Sequence, residues 1–309
     1  MTKIAFTPEG KLTIAQFTDL HFMDGSDKDE QTKDLVREVL EQCRPDLSIL
    51  TGDILYGEKN LELAQEVIEL FDSYGKPWSF CFGNHDSEEG ASRSEIFDYI
   101  VKNSEFCLAK DMNPTGPGVG DHRIDLVQEE ETRWSLYLID SGDYMQEDPR
   151  YYAYVKPEQI AWLREDQMKH DDNTQKPSAL LFLHIPLQEY RTLMQRGAYE
   201  GEANEDVCSS PLNSGLFAAM VEAETFRGIF CGHDHVNNFH GELLGIALVY
   251  GQASGYNTYS HTGFRHGARL ITVSADEPDN FQSRIYYDDG STSEPVQFGT
   301  PGGRWLDVE

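Results

Sequence analysis

Three short apolar runs alternate with two amphipathic stretches in the first part of the chain. The apolar runs are residues 12–18, 47–51 and 77–82. Between them, apolar residues recur at helical spacing over about 31–42 and 61–73, which predicts one helix in each connection. A strand–helix–strand–helix–strand order of this kind indicates parallel strands joined by right-handed crossovers. The sequence therefore predicts an α/β fold.

The later part of the chain continues the mixture of helices and strands. Apolar periodicity predicts helices over about 92–101 and 157–170. A short helix is expected over 215–222, with Asn213 or Ser214 as its cap. Strands are expected at about 123–127, 134–140, 179–183, 247–250 and 268–274, the first two as a hairpin.

Polar residues of three types, Asp, Asn and His, directly follow each of five apolar runs. Open α/β sheets place their ligands at the carboxyl ends of the strands. Because Asp, Asn and His side chains suit metals such as Zn, Mn and Fe, a shared metal site would account for all five segments. In chain order, the segments are Asp19-Leu20-His21, Gly52-Asp53, Gly83-Asn84-His85-Asp86, His184-Ile185-Pro186 and Gly232-His233-Asp234-His235.

The order of these segments resembles that of the calcineurin-like metallophosphoesterase superfamily. The resemblance runs from Asp19 to His235, about two thirds of the chain. The residues at 17–22, 184–190 and 232–238 look like its purple-acid-phosphatase-like, Dcr2-like branch. The resemblance implies a four-layer fold, with two packed mixed β-sheets flanked by helices. Because 309 residues are too few for two comparable domains and a linker, we expect a single domain over residues 1–309.

The same resemblance implies two metal ions per chain, Fe, Mn or Zn, held close together. Asp53 would bridge them, because a carboxylate can offer one oxygen to each ion whereas a neutral imidazole cannot. The remaining ligands divide between the two sites. The first ion would be held by Asp19, His21, Asp53 and His235, and the second by Asp53, Asn84, His184 and His233.

The implied activity is that of a metal-dependent phosphoric ester hydrolase, in which a metal-bound hydroxide attacks phosphorus in line. We expect a phosphomonoesterase; a phosphodiesterase, for example on cyclic nucleotides, is the alternative because the same metals serve both. His85 would protonate the leaving oxygen or stabilise its charge. Asp86 could orient the His85 imidazole or could be an ordinary turn cap. A metal-free interaction scaffold would be expected to lack ligands, and here every position is filled.

Three features near the segments leave their roles open. Tyr56, three residues after Asp53, resembles the tyrosine that binds Fe(III) in coloured purple acid phosphatases. Because those enzymes lack the histidine present here as His21, we favour His21 as the ligand and Tyr56 as a wall residue. Arg265 could contact a substrate phosphate or be a solvated loop arginine. The acidic, irregular stretch 197–213 could be a lid.

The charge of the chain restricts its partners. It carries 25 Lys and Arg against 54 Asp and Glu, a formal net charge of −29. This argues against binding a nucleic-acid backbone or an anionic membrane, so we expect a phosphorylated small molecule or a phosphoprotein as substrate. Five cysteines without a Cys-x-x-Cys motif predict no disulfide framework. We expect a cytoplasmic protein, or an exported one whose signal segment has been removed.

Overall fold

The computed structural model describes residues 2–169 and 176–299, which form two β-sheets between layers of helices. The strands are β1 (Thr2–Ala5), β2 (Lys11–Phe17), β3 (Leu47–Thr51), β4 (Trp78–Cys81), β5 (His122–Gln128), β6 (Glu131–Leu138), β7 (Ser178–Phe182), β8 (Phe226–Cys231), β9 (His240–Leu243), β10 (Ile246–Tyr250), β11 (Gly267–Ser274), β12 (Phe281–Tyr287) and β13 (Val296–Phe298). The helices are α1 (Asp27–Cys43), α2 (Asn60–Asp72), α3 (Arg93–Asn103), α4 (Pro157–Met168), α5 (Gln188–Arg196) and α6 (Leu216–Ala223). None of these helices is long and apolar enough to cross a membrane.

The six-stranded sheet has the order β13-β12-β11-β2-β3-β4. Strands β2, β3 and β4 run parallel to one another, and α1 and α2 form the connections between them. The predicted parallel crossovers are therefore confirmed. Since the three strands point the same way, their carboxyl ends lie along one edge of the sheet. On the other side of β2, strand β11 runs antiparallel.

The seven-stranded sheet has the order β1-β5-β6-β7-β8-β10-β9. Strands β6, β7, β8 and β10 are parallel neighbours. Strands β5 and β6 form the expected antiparallel hairpin. The ends of β7 and β8, which precede two of the polar segments, are therefore side by side.

Three apolar cores separate the four layers. On β2, Leu12 and Ile14 belong to the core between the two sheets, whereas Ala15 and Phe17 belong to the core under α1, α2 and α3. This division follows the two-residue alternation of a strand. A third core lies between the seven-stranded sheet and α4, α5 and α6. Because both faces of each sheet are covered, the central strands are apolar nearly throughout.

The structure confirms the expected two-sheet architecture and departs from the sequence prediction in some elements. Helix α6 is not capped by Asn213 or Ser214: its N-cap is Gly215, at φ 85°, and Asn213 Oδ1 accepts the Gly215 N–H at 2.9 Å. Helix α5 and strand β1 were not predicted. Helix α5 begins after Leu187, which makes no side-chain cap, so it carries no local start signal. The expected end of α4, at residue 170, lies outside the described residues.

Candidate metal centre

Six of the seven predicted metal ligands come together where four strands end. Asp19 and His21 follow β2, Asp53 follows β3, His184 follows β7, and His233 and His235 follow β8. Their donor atoms form two buried groups, within each of which all atoms lie no more than 4.8 Å apart. Asp53 belongs to both groups. The first consists of Asp19, His21, Asp53 and His235, and the second of Asp53, His184 and His233.

The donor atoms face one another at short range. Asp53 Oδ2 lies 3.4 Å from His21 Nε2 and 3.2 Å from His184 Nε2. Asp19 Oδ1 lies 3.5 Å from His235 Nε2. Ligand atoms at about 2.0–2.2 Å from one tetrahedral ion are about 3.3–3.6 Å from each other. The spacing within each group therefore suits atoms arranged around a cation.

Several of these buried atoms lack a hydrogen-bond partner among the described residues. A buried polar atom without a partner costs about 1–3 kcal/mol, so native proteins contain few of them. Cations held by the two donor groups would satisfy those of these atoms that face them, and nitrogen and oxygen donors suit Zn, Mn or Fe. The residues therefore fit a metal centre. The atoms are His21 Nε2, Asp53 Oδ2, Asn84 Oδ1, His233 Nε2 and His235 Nδ1.

The tautomer of His184 is set by the backbone of β3. Its Nδ1 lies 2.8 Å from the carbonyl oxygen of Thr51 and must donate a proton to it. In the neutral ring, Nε2 then carries a lone pair, and this lone pair faces Asp53 Oδ2. Two acceptors at 3.2 Å repel unless a proton or a cation lies between them, so the hydrogen bond to Thr51 prepares His184 to bind a metal.

The electrostatics of the cluster favour positive charge. Burial raises the pKa of the Asp53 carboxyl, but His184 and His21 outweigh burial and hold that pKa well below its usual range. Burial lowers the pKa of His184, but the Asp53 carboxylate raises it to about 9. The pKa of Asp19 is also lowered, because His235 outweighs the effect of burial. Both carboxylates therefore stay ionised in the interior, where they attract cations.

The turns at the strand ends are tightly packed and strained. Gly52 has φ 81°, and a Cβ atom on it would lie 2.5 Å from Gly83 N and 2.7 Å from His184 Cβ. Only glycine lets the three strand ends approach this closely. Backbone in the left-handed region costs about 1–3 kcal/mol for other residues and clusters at functional sites. Four of the candidate ligands adopt it: Asp19 (φ 55°), His21 (φ 47°), Asp53 (φ 48°) and His233 (φ 78°).

Asn84 and His85 lie in the turn after β4, next to the shared carboxylate. The His85 backbone N–H donates to Asp53 Oδ1 at 2.8 Å, which fixes the turn against the cluster. The His85 ring lies beside those of His21 and Tyr56, with centroids 5.3 and 4.9 Å away. Tyr56 thus lies beside His21 and His85, and the expectation that His21 rather than Tyr56 binds the metal stays a prediction.

Of the two roles expected for Asp86, the structure shows the turn cap and no contact with the His85 ring. Asp86 is buried, and its two carboxylate oxygens accept backbone N–H groups of Asp53, Ile54, Leu55 and Gly83 at 2.7–3.1 Å. It holds the turns after β3 and β4 together. The His85 ring is instead bound by Glu88, whose Oε2 lies 2.7 Å from Nδ1.

Residues outside the five polar segments contact the turn after β4 and the donor groups. The Arg93 guanidinium donates to the Gly83 carbonyl at 2.6 Å and forms an ion pair with Asp140. Tyr144 accepts a hydrogen bond from Asn84 Nδ2 at 3.3 Å. Tyr152 packs edge-on against the His233 ring, 4.3 Å between centroids. No motif marks these residues; only Arg93 carries a local signal, as the residue after the helix cap Ser92.

The stretch 197–213 is pinned beside the cluster. Glu205 accepts the Val236 N–H at 3.0 Å and the Tyr259 hydroxyl at 2.7 Å. Tyr259 in turn stacks on the His235 ring, 4.2 Å between centroids. These contacts make the stretch part of the wall and do not support a free lid. Arg265 is bound to Asp289 at 3.0 Å, as expected of a loop arginine on the surface.

Known proteins are similar to this chain over the part that contains the candidate ligands. A family model described as calcineurin-like phosphoesterase matches residues 12–237. An Arabidopsis thaliana protein named probable inactive purple acid phosphatase 28 is 29% identical, over 87% of this chain and 76% of its own length. The Saccharomyces cerevisiae phosphatase DCR2 is 26% identical, over 75% of this chain and 45% of its own length.

Solved structures share the fold at low sequence identity. A dimetal phosphatase from Danio rerio superposes with a TM-score of 0.64 and 12% identity, covering 93% of this chain and 98% of that one. GAP50, described as the anchor in the inner membrane complex of Plasmodium, gives 0.57 and 12%, covering 96% and 91%. At these identities the likeness is one of fold.

Proposed function

The chain belongs to the calcineurin-like phosphoesterase family of metal-dependent phosphoric ester hydrolases, and on that basis we propose that it is a dinuclear phosphomonoesterase. The observation that carries this proposal is the pair of buried donor groups that share Asp53. A single-metal site would need one such group. Two groups joined by one carboxylate are the arrangement that a two-metal phosphoesterase requires.

The residues divide between the two sites as the donor groups divide. Asp19, His21, Asp53 and His235 would hold one ion, and Asp53, His184 and His233 the other. Asn84 Oδ1, which has no hydrogen-bond partner among the described residues, would complete the second set. This mixture of imidazole, carboxylate and amide donors suits Fe, Mn or Zn. Bound there, two such ions supply Lewis-acid chemistry, acidifying a water molecule and neutralising charge on the phosphoryl oxygens.

His85 is the histidine best placed to meet substrate. Its side chain is 27% exposed, against 6% for His21, 0% for His184 and 7% for His235. It belongs to neither donor group, so metal binding does not consume it. Its Nδ1 is bound by Glu88, which leaves Nε2 as the nitrogen available to the leaving oxygen. In the doubly protonated ring, Nδ1–H donates to Glu88 and the proton on Nε2 would assist departure of the leaving group.

Two other functions remain as alternatives. A phosphodiesterase uses the same metal core, and only the walls around it, which include Tyr144, Tyr152 and Tyr259, would distinguish the two ester classes. A binding protein without catalysis is suggested by relatives named probable inactive phosphatases and by the structural likeness to an anchor protein. The complete donor set of this chain favours an enzyme.

The test is metal analysis of the purified protein together with hydrolysis of p-nitrophenyl phosphate and bis-p-nitrophenyl phosphate. We expect two ions per chain and a higher kcat/KM on the monoester, with both lost on chelation and restored by metal. The same preparation of Asp53→Asn is the control for contaminating phosphatases. A higher kcat/KM on the diester would support the phosphodiesterase. Two bound ions without hydrolysis of either ester would support a binding protein.

A further inference from the structure

Glu88 connects two functional side chains through its two oxygens. Oε2 lies 2.7 Å from His85 Nδ1, and Oε1 lies 2.8 Å from the Tyr144 hydroxyl. The Glu88 N–H donates to the His85 carbonyl at 3.2 Å, so a tight turn returns the carboxylate to the ring that precedes it by three residues. One carboxylate thus contacts the turn after β4 and the loop after β6 at the same time.

The Tyr144 hydroxyl links Glu88 to Asn84 through two hydrogen bonds. Its hydroxyl has one proton, which the Glu88 carboxylate must receive because an ionised carboxylate can only accept. The Tyr144 oxygen is then an acceptor, and Asn84 Nδ2 donates to it at 3.3 Å. The amide of Asn84 is thereby fixed with nitrogen toward Tyr144, which leaves the buried Oδ1 as the end without a partner among the described residues.

The loop that carries Tyr144 is itself held against the cluster. Tyr144 and Tyr152 pair in an antiparallel bridge, and their rings stack with centroids 5.6 Å apart. Tyr152 then packs edge-on against His233, a member of the second donor group. The position of the Tyr144 hydroxyl is therefore set by packing against the site that it serves.

We propose that Glu88 and Tyr144 are positioning residues: Glu88 fixes the His85 ring with Nδ1 as donor and Nε2 free, and Tyr144 fixes Asn84 with its oxygen free for a metal. The inference rests on the proposed function, because the orientations of the His85 ring and the Asn84 amide matter only if the site binds metal and cleaves an ester. An exposed Glu–His pair adds little stability, so the role of Glu88 lies in orientation. Partners of this kind typically change metal affinity or activity by about 10–100-fold.

The two arms of the network predict different losses. Glu88→Leu removes the partner of His85, so kcat should fall about tenfold or more on an alkyl phosphate and less on p-nitrophenyl phosphate, whose leaving group departs without a proton. Tyr144→Phe removes the acceptor of Asn84, so affinity for one of the two ions should fall about tenfold, with equal losses of rate on both esters. Glu89→Leu, at the neighbouring exposed position, is the matched control and should behave like the wild type.

A double-mutant cycle separates positioning from general disruption. In a His85→Asn background, Glu88→Leu should cause no further loss that depends on the leaving group, because the ring it orients is absent. Glu88→Asp, which keeps the carboxylate, should recover part of the rate on the alkyl ester. If Glu88→Leu lowers kcat equally on both esters, the proposal is wrong. It is also wrong if Glu88→Leu causes the same loss of kcat in the His85→Asn background as in the wild type.

A spectroscopic measurement decides the orientation of His85 without relying on activity. At a pH where the ring is neutral, long-range ¹H–¹⁵N spectra of the metal-free protein should show His85 as the Nδ1-protonated tautomer, and a mixture of tautomers in Glu88→Leu. An unchanged tautomer in the variant, with metal affinity unchanged in Tyr144→Phe, would overturn the proposal. If the wild type hydrolyses neither ester, the proposed function fails while these two measurements still decide the positioning roles.

Discussion

Replacing the Asp53 carboxylate with an amide tests whether one residue joins two metal sites. Asp53→Asn keeps the size of the side chain, and Oδ1 can still accept the His85 N–H that it binds at 2.8 Å. What is lost is the charge on an oxygen that lies 3.4 and 3.2 Å from nitrogens of the two donor groups. Two unit charges about 4 Å apart interact by about 4 kcal/mol at an effective dielectric constant of about 20. We therefore expect the affinity for each ion to fall about 10³-fold.

Calorimetric titration and elemental analysis measure this loss directly, and thermal unfolding gives a second readout. Metal at about 100 times its dissociation constant stabilises a protein by about 2.7 kcal/mol, a rise in Tm of about 4 °C for a chain of this size. The wild type should show that rise and Asp53→Asn should not. Asp121→Asn is the control, because Asp121 is also buried and hydrogen-bonded but lies outside both donor groups.

Two ions bound to Asp53→Asn with affinities within tenfold of the wild type would refute the bridge. Loss of one ion with full retention of the other would also refute it, because Asp53 would then belong to a single site. Asp53→Ala removes in addition the acceptor of the His85 N–H, so it should lose both ions and destabilise the turn after β4.

Three further outcomes are expected. Iron-loaded protein should show no visible charge-transfer band, since we expect His21 to fill the position for which Tyr56 competes; a band that disappears in Tyr56→Phe would contradict this. With a net charge of −29, raising ionic strength from about 10 to 150 mM should increase kcat/KM more for a dianionic monoester than for a monoanionic diester; a decrease for both would show that local positive potential dominates. In the metal-free protein, burial lowers the pKa of His184 but Asp53 raises it to about 9. Protonation of His184 therefore stabilises the fold in full below about pH 6.5, and this stabilisation is lost as pH rises through 9. The free energy of unfolding should fall by on the order of 3 kcal/mol over that range, as measured by urea titration, and His184→Gln should flatten the profile.

The strand ends could be predicted because the signals that mark them are local. An apolar run followed at once by Asp, Asn or His defines both the strand and the place where its side chains emerge, and β3 was predicted to the residue. Parallel pairing of β2, β3 and β4 followed from the helices between them. The six clustered ligands needed in addition that strands from two sheets end at one place, which only the family resemblance implied.

The partners of these ligands could not be predicted because they come from distant parts of the chain. Three of the backbone N–H groups that donate to the Asp86 carboxylate belong to residues 31–33 positions away. The sequence therefore provided no reason to expect that these hydrogen bonds use both of its oxygens. Tyr144 lies 60 positions from Asn84, in a loop without a motif. Glu88 is close in sequence, but a Glu three residues after a His in an acidic turn is indistinguishable from a solvated surface group until the turn returns it to the ring.

Backbone strain and buried side-chain atoms without hydrogen-bond partners occur in the same residues of the site. Asp19, His21, Asp53 and His233 lie in a backbone region that costs about 1–3 kcal/mol per residue. Donor atoms of three of these residues are also buried without hydrogen-bond partners among the described residues. Carboxylate oxygens of Asp53 and Asp86 accept hydrogen bonds from backbone N–H groups of the turns after β3 and β4, and these bonds keep the turns in place. Within the cluster, His233 Nδ1 lies 3.2 Å from His184 Nε2, which is hydrogen-bond distance, but His21 Nε2 and Asp53 Oδ2 have no partner among the described residues. A fold that maintains these unfavourable features with ordered hydrogen bonds is organised to present those atoms to a cation.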